Sequence, residues 1–123
     1  MSIPVSLERL RDEIRGFGAA PYLLTVSDDG RPHCVSVAFD WQGDDIVIGA
    51  GNRTTANAAA RPSVSLLWAP KSSGGYSLIV DGTVTSTSGS GDGDNRVTVQ
   101  PTGAVLHRPA TDGGSDCAPV FRT

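Results

Sequence analysis

Short runs of β-forming residues, separated by turn residues, constrain the fold of this chain more than any other feature. The runs alternate apolar and polar side chains, and turn signals recur about every eight to twelve residues, a spacing typical of β-sandwiches and barrels. Two clear turns are Asp28-Asp29-Gly30 and Gln42-Gly43-Asp44. A barrel is favoured because a small open sheet leaves its edge strands exposed. We therefore predict a mainly β domain with about seven short strands and two short helices.

The predicted strands share the period-two alternation expected of a sheet with one buried face. Along the second strand, Val35, Val37 and Phe39 are expected on one face, and Cys34 is expected to be a buried thiol. Gly82 is expected to mark a bulge or a close approach of two backbones. The strands cover residues 22–27, 33–40, 45–50, 63–69, 76–85, 96–100 and 104–108, the last two joined by residues 101–103.

An N-terminal helix over about residues 6–16 is predicted by apolar residues at helical spacing. Its apolar stripe consists of Leu7, Leu10, Ile14 and Phe17. Such a stripe is expected to be buried against the sheet, so this helix covers the core without forming a unit of its own.

Length and composition favour one globular domain and argue against a nucleic-acid partner. The chain has 123 residues, of which 38% are hydrophobic and 19% are charged, so a single domain spanning 1–123 is expected. Stretches rich in Ser, Gly and Asp predict a flexible loop at about 86–95 and a mobile tail at about 109–123. The net charge is −3 and the basic residues are scattered, whereas nucleic-acid binders usually carry a basic face.

The cysteines, histidines and known catalytic motifs offer no further site. Cys34 and Cys117 form no CxxC pair, and with His33 and His107 they form no metal-ligand spacing, so no metal is predicted. Both histidines are interpreted as structural or surface residues, and no GxSxG, HExxH or paired-carboxylate motif occurs. No signal-peptide or transmembrane run is recognised, so no membrane partner is expected and the cytoplasm is the expected location.

The segment between the third strand and the second helix is the strongest candidate for a binding site. Gly51 allows a tight turn and a close approach to a ligand. An Ala-rich run predicts a helix over 54–61, capped by Thr54 or Thr55, whose first N–H groups attract an anion. Arg53 adds a guanidinium suited to phosphate, and Asn57 can donate another hydrogen bond. The same residues also fit an ordinary capped helix with a surface arginine, and local sequence does not separate the two interpretations.

The order of these elements resembles the pyridoxamine 5′-phosphate oxidase-like family of flavin-binding split barrels. The resemblance is carried by residues 22–27 with the turn 29–32, by 46–50 with 52–54, by 62–68 and by 77–84. It implies an antiparallel, six-stranded split barrel that works as a homodimer with coenzyme sites at the interface.

The resemblance also implies a set of site residues. The phosphate would rest on the turn formed by Asn52, Arg53 and Thr54, with Asn57 one turn further on, and Ser77 would be a polar ring or phosphate contact. The coenzyme ring would lie along the second and third strands, near Val35, Ser36, Val37, Gly49 and Ala50.

The activity implied by the resemblance is that of an FMN-dependent oxidoreductase acting on a small molecule. Thr54 stands where the family oxidase usually carries a second basic residue, and this difference leaves the deazaflavin F420 as the alternative coenzyme. The sequence shows no evident catalytic acid or base, and hydride chemistry belongs to the coenzyme. A flavin or haem carrier or sensor without turnover is therefore the alternative function.

Overall fold

Eight strands and two helices make up the described part of the chain, residues 1–89 and 94–110 of a computed structural model. The predicted mainly β architecture with two short helices is confirmed. In chain order the elements are β1 (Ser2–Pro4), α1 (Leu7–Arg15), β2 (Tyr22–Val26), β3 (Pro32–Ser36), β4 (Ala38–Gln42), β5 (Asp45–Ala50), α2 (Asn52–Ala60), β6 (Ser63–Trp68), β7 (Ser77–Ser88) and β8 (Asn95–His107).

The strands form one curled antiparallel sheet whose two edges are consecutive in the chain. The strand order is β3-β2-β6-β7-β8-β5-β4, and β1 pairs with β8 off this path. Only Val37 separates β3 from β4, and its backbone N–H donates to the Pro21 carbonyl oxygen at 2.9 Å. One bent strand therefore supplies both edges of the sheet. Counted in this way, β2, the bent strand, β5, β6, β7 and β8 make six strands around the barrel.

Alternation along the bent strand sends one series of side chains inward and the other outward. Val37 is buried, and Val35 and Phe39 pack against the core, as predicted. Cys34 is exposed, so the prediction of a buried thiol is wrong. The residue lies in the outward series with Ser36, and a strand-like sequence cannot by itself tell which of its faces the fold covers.

The core lies inside the curled sheet and is closed by α1. Trp68 is 1% exposed, and the Phe39 ring meets it edge-on at 5.4 Å between ring centroids. Leu10 and Ile14 of α1 are buried against the sheet, which contributes about 1.5–3 kcal/mol for each side chain before chain entropy is subtracted. Leu7 is 50% exposed, so its predicted burial is wrong. It lies in the first turn of the helix, at the rim of a groove beside the β4–β5 turn.

The long hairpin of β7 and β8 replaces several shorter elements expected from the sequence. The strands predicted at 96–100 and 104–108 are one strand, because the pairing steps from Asp81 opposite Gly103 to Gly82 opposite Pro101. This bulge leaves Thr102 without a partner residue and accommodates the proline. Gly82 confirms its predicted role, since an added Cβ would fall against the Val99 side chain.

The two segments predicted to be flexible lie partly outside the described residues. β7 continues through Ser88 and β8 begins at Asn95, so both ends of the predicted loop at 86–95 are paired strand. Residues 90–93, and residues 111–123 of the predicted tail, lie outside the described part of the chain. Within the described ranges, neither helix has the length and apolarity needed to cross a membrane.

Candidate functional site

The first turn of α2 carries backbone N–H groups that no side chain of residues 1–89 or 94–110 caps. The helix begins at Asn52, two residues earlier than predicted, with Gly51 as an extended N-cap residue. The prediction that Thr54 or Thr55 caps it is wrong. Thr54 is buried inside the first turn, and the Thr55 hydroxyl donates back to the Gly51 carbonyl oxygen at 2.8 Å. The backbone N–H groups of Arg53 and Thr54 have no acceptor among the described residues and remain available to a ligand.

These N–H groups border a cavity of about 430 Å³, which we call the first cavity. The pairing of Ala38 with Gly49 brings the bend between β3 and β4 beside the end of β5, where α2 begins. An added Cβ at Gly49 or at Gly51 would meet nothing within 4 Å, so both glycines leave open space there. The first cavity is lined by His33 and by residues 35–37 and 49–54.

Eight of the ten predicted site residues line the first cavity. Asn57 and Ser77 do not. Asn57 is 5% exposed, and its amide Nδ2 donates to the Thr25 hydroxyl at 3.2 Å. Ser77 lies at the start of β7, paired with His107. The eight residues that the fold brings together are Val35, Ser36, Val37, Gly49, Ala50, Asn52, Arg53 and Thr54.

Arg53 places a positive charge at the positive end of the α2 dipole. The residue is exposed, and its guanidinium makes no hydrogen bond or ion pair with any residue in the described ranges. No acidic residue stands in the first turn to offset this charge. A cation in this position is unfavourable for the helix, and a bound anion would relieve it. Uncapped N–H groups, a free guanidinium and open space therefore fit a phosphate group.

Asn52 is held by a contact with the far strand of the hairpin. The Asn95 side chain, which is 5% exposed, donates from Nδ2 to Oδ1 of Asn52 at 2.8 Å. This hydrogen bond joins the start of β8 to the start of α2. The orientation of the Asn52 amide in the cavity wall is thus set from outside the helix.

A second cavity of about 630 Å³ adjoins the first, and we call it the adjoining cavity. The two share His33, Asn52 and Arg53 in their walls. The adjoining cavity extends beneath the β2–β3 turn and along α2 as far as Asn57. Its remaining lining residues are Ser27, Asp28, Asp29, Arg31, Pro32 and Ala56.

Both carboxylates of the adjoining cavity already have partners. Arg61 Nη2 donates to Asp28 at 2.9 Å, and Arg61 Nε donates to the Val26 carbonyl oxygen at 2.6 Å. The Ser27 hydroxyl and the Arg31 backbone N–H donate to the Asp29 carboxylate. These two hydrogen bonds hold the pKa of Asp29 below its usual value.

The lining residues that were not among the predicted site residues include His33 and Arg31. His33 was interpreted as structural or surface, although period-two alternation places it in the same series as Val35 and Val37. Arg31 carried no signal beyond its place in a turn, because the cavity beneath that turn arises from the fold. Within the described residues, no group of three or more His, Cys, Asp or Glu side chains is arranged to hold a metal ion.

Comparison with known sequences finds two mycobacterial relatives and no matching family model. They are uncharacterized proteins of Mycobacterium bovis and Mycobacterium tuberculosis. Each is 38% identical over 117 residues, which cover 86% of this chain and 82% of the relative. The chain belongs to the family of these two proteins.

Solved structures with the same fold are flavin-related split barrels. An F420 reductase aligns with a TM-score of 0.63 at 18% identity, covering 76% of this chain and 94% of its own. A Listeria innocua protein assigned as a pyridoxamine 5′-phosphate oxidase gives 0.64 at 16% identity, covering 81% and 96%. An FMN-binding protein from Syntrophomonas wolfei gives 0.65 at 13% identity, covering 85% and 88%. The predicted split-barrel fold is thereby confirmed.

One structural neighbour is named for a different ligand. HutZ of Vibrio cholerae, described as a haem storage protein, aligns with a TM-score of 0.61 at 20% identity. The alignment covers 83% of this chain and 95% of HutZ. At these identities all four structures establish the fold alone.

Proposed function

We propose that this protein binds the phosphate of a flavin-type coenzyme at the start of α2 and serves as an oxidoreductase for a small molecule. The observation that carries the proposal is the uncapped first turn of α2, with the free guanidinium of Arg53 beside it. The names of the structural neighbours, which include an F420 reductase and an FMN-binding protein, support a coenzyme of this type.

The residues of the chain would hold and orient the coenzyme. The backbone N–H groups of Arg53 and Thr54 and the Arg53 guanidinium would bind the phosphate. The backbone of residues 35–37, together with Gly49 and Ala50, would border the ring, with Val37 on the buried side. When bound, the coenzyme supplies hydride transfer, and the protein contributes position, polarity and exclusion of water.

FMN is the proposed coenzyme, and F420 is the alternative. Thr54 is 4% exposed, so its hydroxyl lies inside the helix turn and does not replace a basic side chain at the phosphate. Arg53 is then the one arginine or lysine that lines the first cavity. A deazaflavin carries its phosphate in a comparable position, so the first cavity alone accepts either coenzyme.

The decisive experiment is a coenzyme titration of the wild-type protein and the Arg53→Ala variant. Absorbance of the purified protein identifies any flavin, deazaflavin or haem that co-purifies, and added FMN and F420 are then titrated separately. Arg53→Ala should weaken binding by about 1.5–3 kcal/mol, the contribution of a hydrogen bond to a charged group. Unchanged affinity in this variant would refute the assignment of Arg53 to the phosphate.

A haem carrier without turnover is the second candidate function. It is favoured by the likeness to HutZ and by His33, whose imidazole lies in the wall shared by both cavities. Haem binding by His33 predicts a Soret band that His33→Ala removes and that Arg53→Ala leaves in place. A flavin spectrum that responds to Arg53→Ala favours the first proposal instead.

The proposal includes a homodimer. The outer face of β2 exposes two large apolar side chains on one side of the strand, Tyr22 (43%) and Val26 (37%), and this pair suits contact with a second copy. Ser77 lines neither cavity of the single chain, so it would contact a coenzyme only across such an interface. Light scattering coupled to size-exclusion chromatography tests this part. A monomeric mass, unchanged when coenzyme is added, would contradict it.

A further inference from the structure

We infer that Asn95 of β8 is a positioning residue of the proposed phosphate site, because it turns the Asn52 amide so that the donor atom Nδ2 is presented to the phosphate. The inference rests on the proposed function and names a residue that lines neither the first nor the adjoining cavity. Asn95 acts through Asn52, which lines both cavities and accepts its hydrogen bond.

The pairing of β5 with β8 places Asn95 next to the start of α2. It lies opposite Ala50, the last residue of β5, and the helix begins two residues later at Asn52. Both asparagines also line a groove of about 410 Å³ between α2 and the β7–β8 hairpin. Asn52 therefore belongs to the walls of this groove and of the first cavity, so its amide can contact Asn95 at one end and a ligand at the other.

A buried asparagine is an unusual residue at this position of the strand. The inward series of β8 continues with Val97 and Val99, which are buried and apolar, whereas Asn95 is 5% exposed and polar. Asparagine is depleted in strands, and burying its amide costs free energy unless the amide is hydrogen-bonded. The bond from Nδ2 to Oδ1 of Asn52, at 2.8 Å, satisfies the amide. An apolar residue would suit the strand better, so the asparagine is explained by its hold on Asn52.

The residue that follows β7 confines the Asn95 side chain. An added Cβ at Gly89 would fall against Oδ1 of Asn95 and would lie 2.8 Å from its Cα. Only glycine allows the two backbones to approach this closely. The Asn95 amide therefore has little room to turn and keeps its donor Nδ2 toward Asn52.

The direction of this hydrogen bond decides which end of the Asn52 amide a phosphate meets. Because Asn95 donates, Asn52 accepts through Oδ1, and its Nδ2 group stands at the other end of the planar amide. A phosphate accepts hydrogen bonds and is repelled by a carbonyl oxygen. The Asn52 donor then adds to the backbone N–H groups of Arg53 and Thr54 at the same anion.

The test compares FMN with riboflavin, which has the same ring and no phosphate, by fluorescence titration of the full chain. Asn95→Leu keeps the approximate size of the side chain and removes its donor. It should weaken FMN binding about 5-fold, which is part of the contribution of one hydrogen bond to a charged group, and leave riboflavin affinity within about twofold. Asn95→Asp should weaken FMN binding further, because its carboxylate attracts Nδ2 of Asn52 and turns Oδ1 toward the phosphate.

A double-mutant cycle with Asn52→Ala tests whether Asn95 acts through Asn52. Asn52→Ala alone should weaken FMN binding about 10-fold, and adding Asn95→Leu should then change the affinity by less than about twofold. The ³¹P resonance of bound FMN should move in the same direction in both single variants. Additive losses of affinity, or an Asn95→Leu variant that binds FMN as the wild type does, would overturn the inference.

The matched control is Thr25→Val, which removes a buried hydrogen bond to α2 that does not involve Asn52. Its hydroxyl accepts from Asn57, and the residue lines neither the first nor the adjoining cavity. Thermal unfolding should show a loss of stability in Thr25→Val and in Asn95→Leu, whereas Thr25→Val should keep FMN affinity within about twofold. Equal losses of FMN affinity in the two variants would mean that any loosened contact of α2 impairs binding, which would overturn the specific role of Asn95.

Failure of this inference differs from failure of the proposed function. FMN affinity that depends on Arg53 and not on Asn95 overturns the inference and keeps the phosphate site. If the protein takes F420 instead of FMN, the same comparison is made between F420 and its phosphate-free deazaflavin. A wild-type protein that binds neither phosphorylated coenzyme more tightly than its phosphate-free counterpart refutes both proposals.

Discussion

The two helices have the same length and opposite roles. Each spans nine residues, and neither has a side chain hydrogen-bonded at its N-cap. α1 carries Glu8 in its first turn and Arg15 in its last, which suits its dipole, and it buries apolar Leu10 and Ile14. α2 carries no acid in its first turn, and its buried residues include polar Thr54 and Asn57. The difference fits a packing role for α1 and the anion-binding role proposed for α2.

The largest expected effect tests the packing role of α1. Leu10→Ala should lower the free energy of unfolding by about 2–5 kcal/mol, because the side chain is 2% exposed and its removal leaves a cavity in the core. Leu7→Ala is the matched control on the same helix, since Leu7 is half exposed and should change stability by about 0.5 kcal/mol or less. Urea unfolding measures both variants, and equal losses would contradict the division of α1 into a buried and an exposed side.

The next effect tests how α2 is anchored. Asn57→Ala should cost about 1–3 kcal/mol of stability, because it removes a buried hydrogen bond and leaves the Thr25 hydroxyl without its partner. A double-mutant cycle with Thr25→Val separates this contact from the loss of packing. Strict additivity of the two substitutions would show that the pair does not act together, and α2 would then be held by Ala58 and its other buried contacts.

Sequence analysis correctly predicted the features that depend on local periodicity. The inward series of Val35, Val37 and Phe39 and the bounds of α1 follow from alternation and helical spacing, which act within a few residues. The start of α2 did not follow, because Gly51 becomes the N-cap only when β5 ends against the bend near Ala38. Long-range pairing thus decides which helix turn is left uncapped.

The candidate site also has a part that was predicted from the sequence and a part that was not. The residues of the first cavity were assembled from a family pattern, since no local rule brings 35–37 beside 49–54. The adjoining cavity was missed because it lies under a turn, where Arg31 has no periodic signal. The exposure of Cys34 was missed for a related reason. Alternation assigns a residue to a face, but only the completed barrel shows that its face stays open.

The smallest expected change in stability comes from reversing the charge in the first turn of each helix, and it compares the two helices most directly. Arg53→Glu gives the first turn of α2 the charge that α1 has at Glu8. It should raise the stability of the coenzyme-free protein by about 0.3–1 kcal/mol, because a carboxylate there interacts favourably with the helix dipole. The same change should abolish coenzyme binding, since the carboxylate repels the phosphate. Glu8→Arg, the converse change in α1, should lower stability by a similar amount and leave coenzyme affinity unaltered.

Thermal unfolding with and without coenzyme measures both quantities for each variant. If the native arginine serves a ligand, Arg53→Glu should raise the stability of the coenzyme-free protein and lower its coenzyme affinity. The arginine then lowers the stability of the free protein, and only a bound anion offsets that loss. A loss of stability in Arg53→Glu without coenzyme would mean that the guanidinium stabilises the folded chain itself. In that case the two helices would differ in packing alone, and the result would contradict the proposed phosphate site at the first turn of α2.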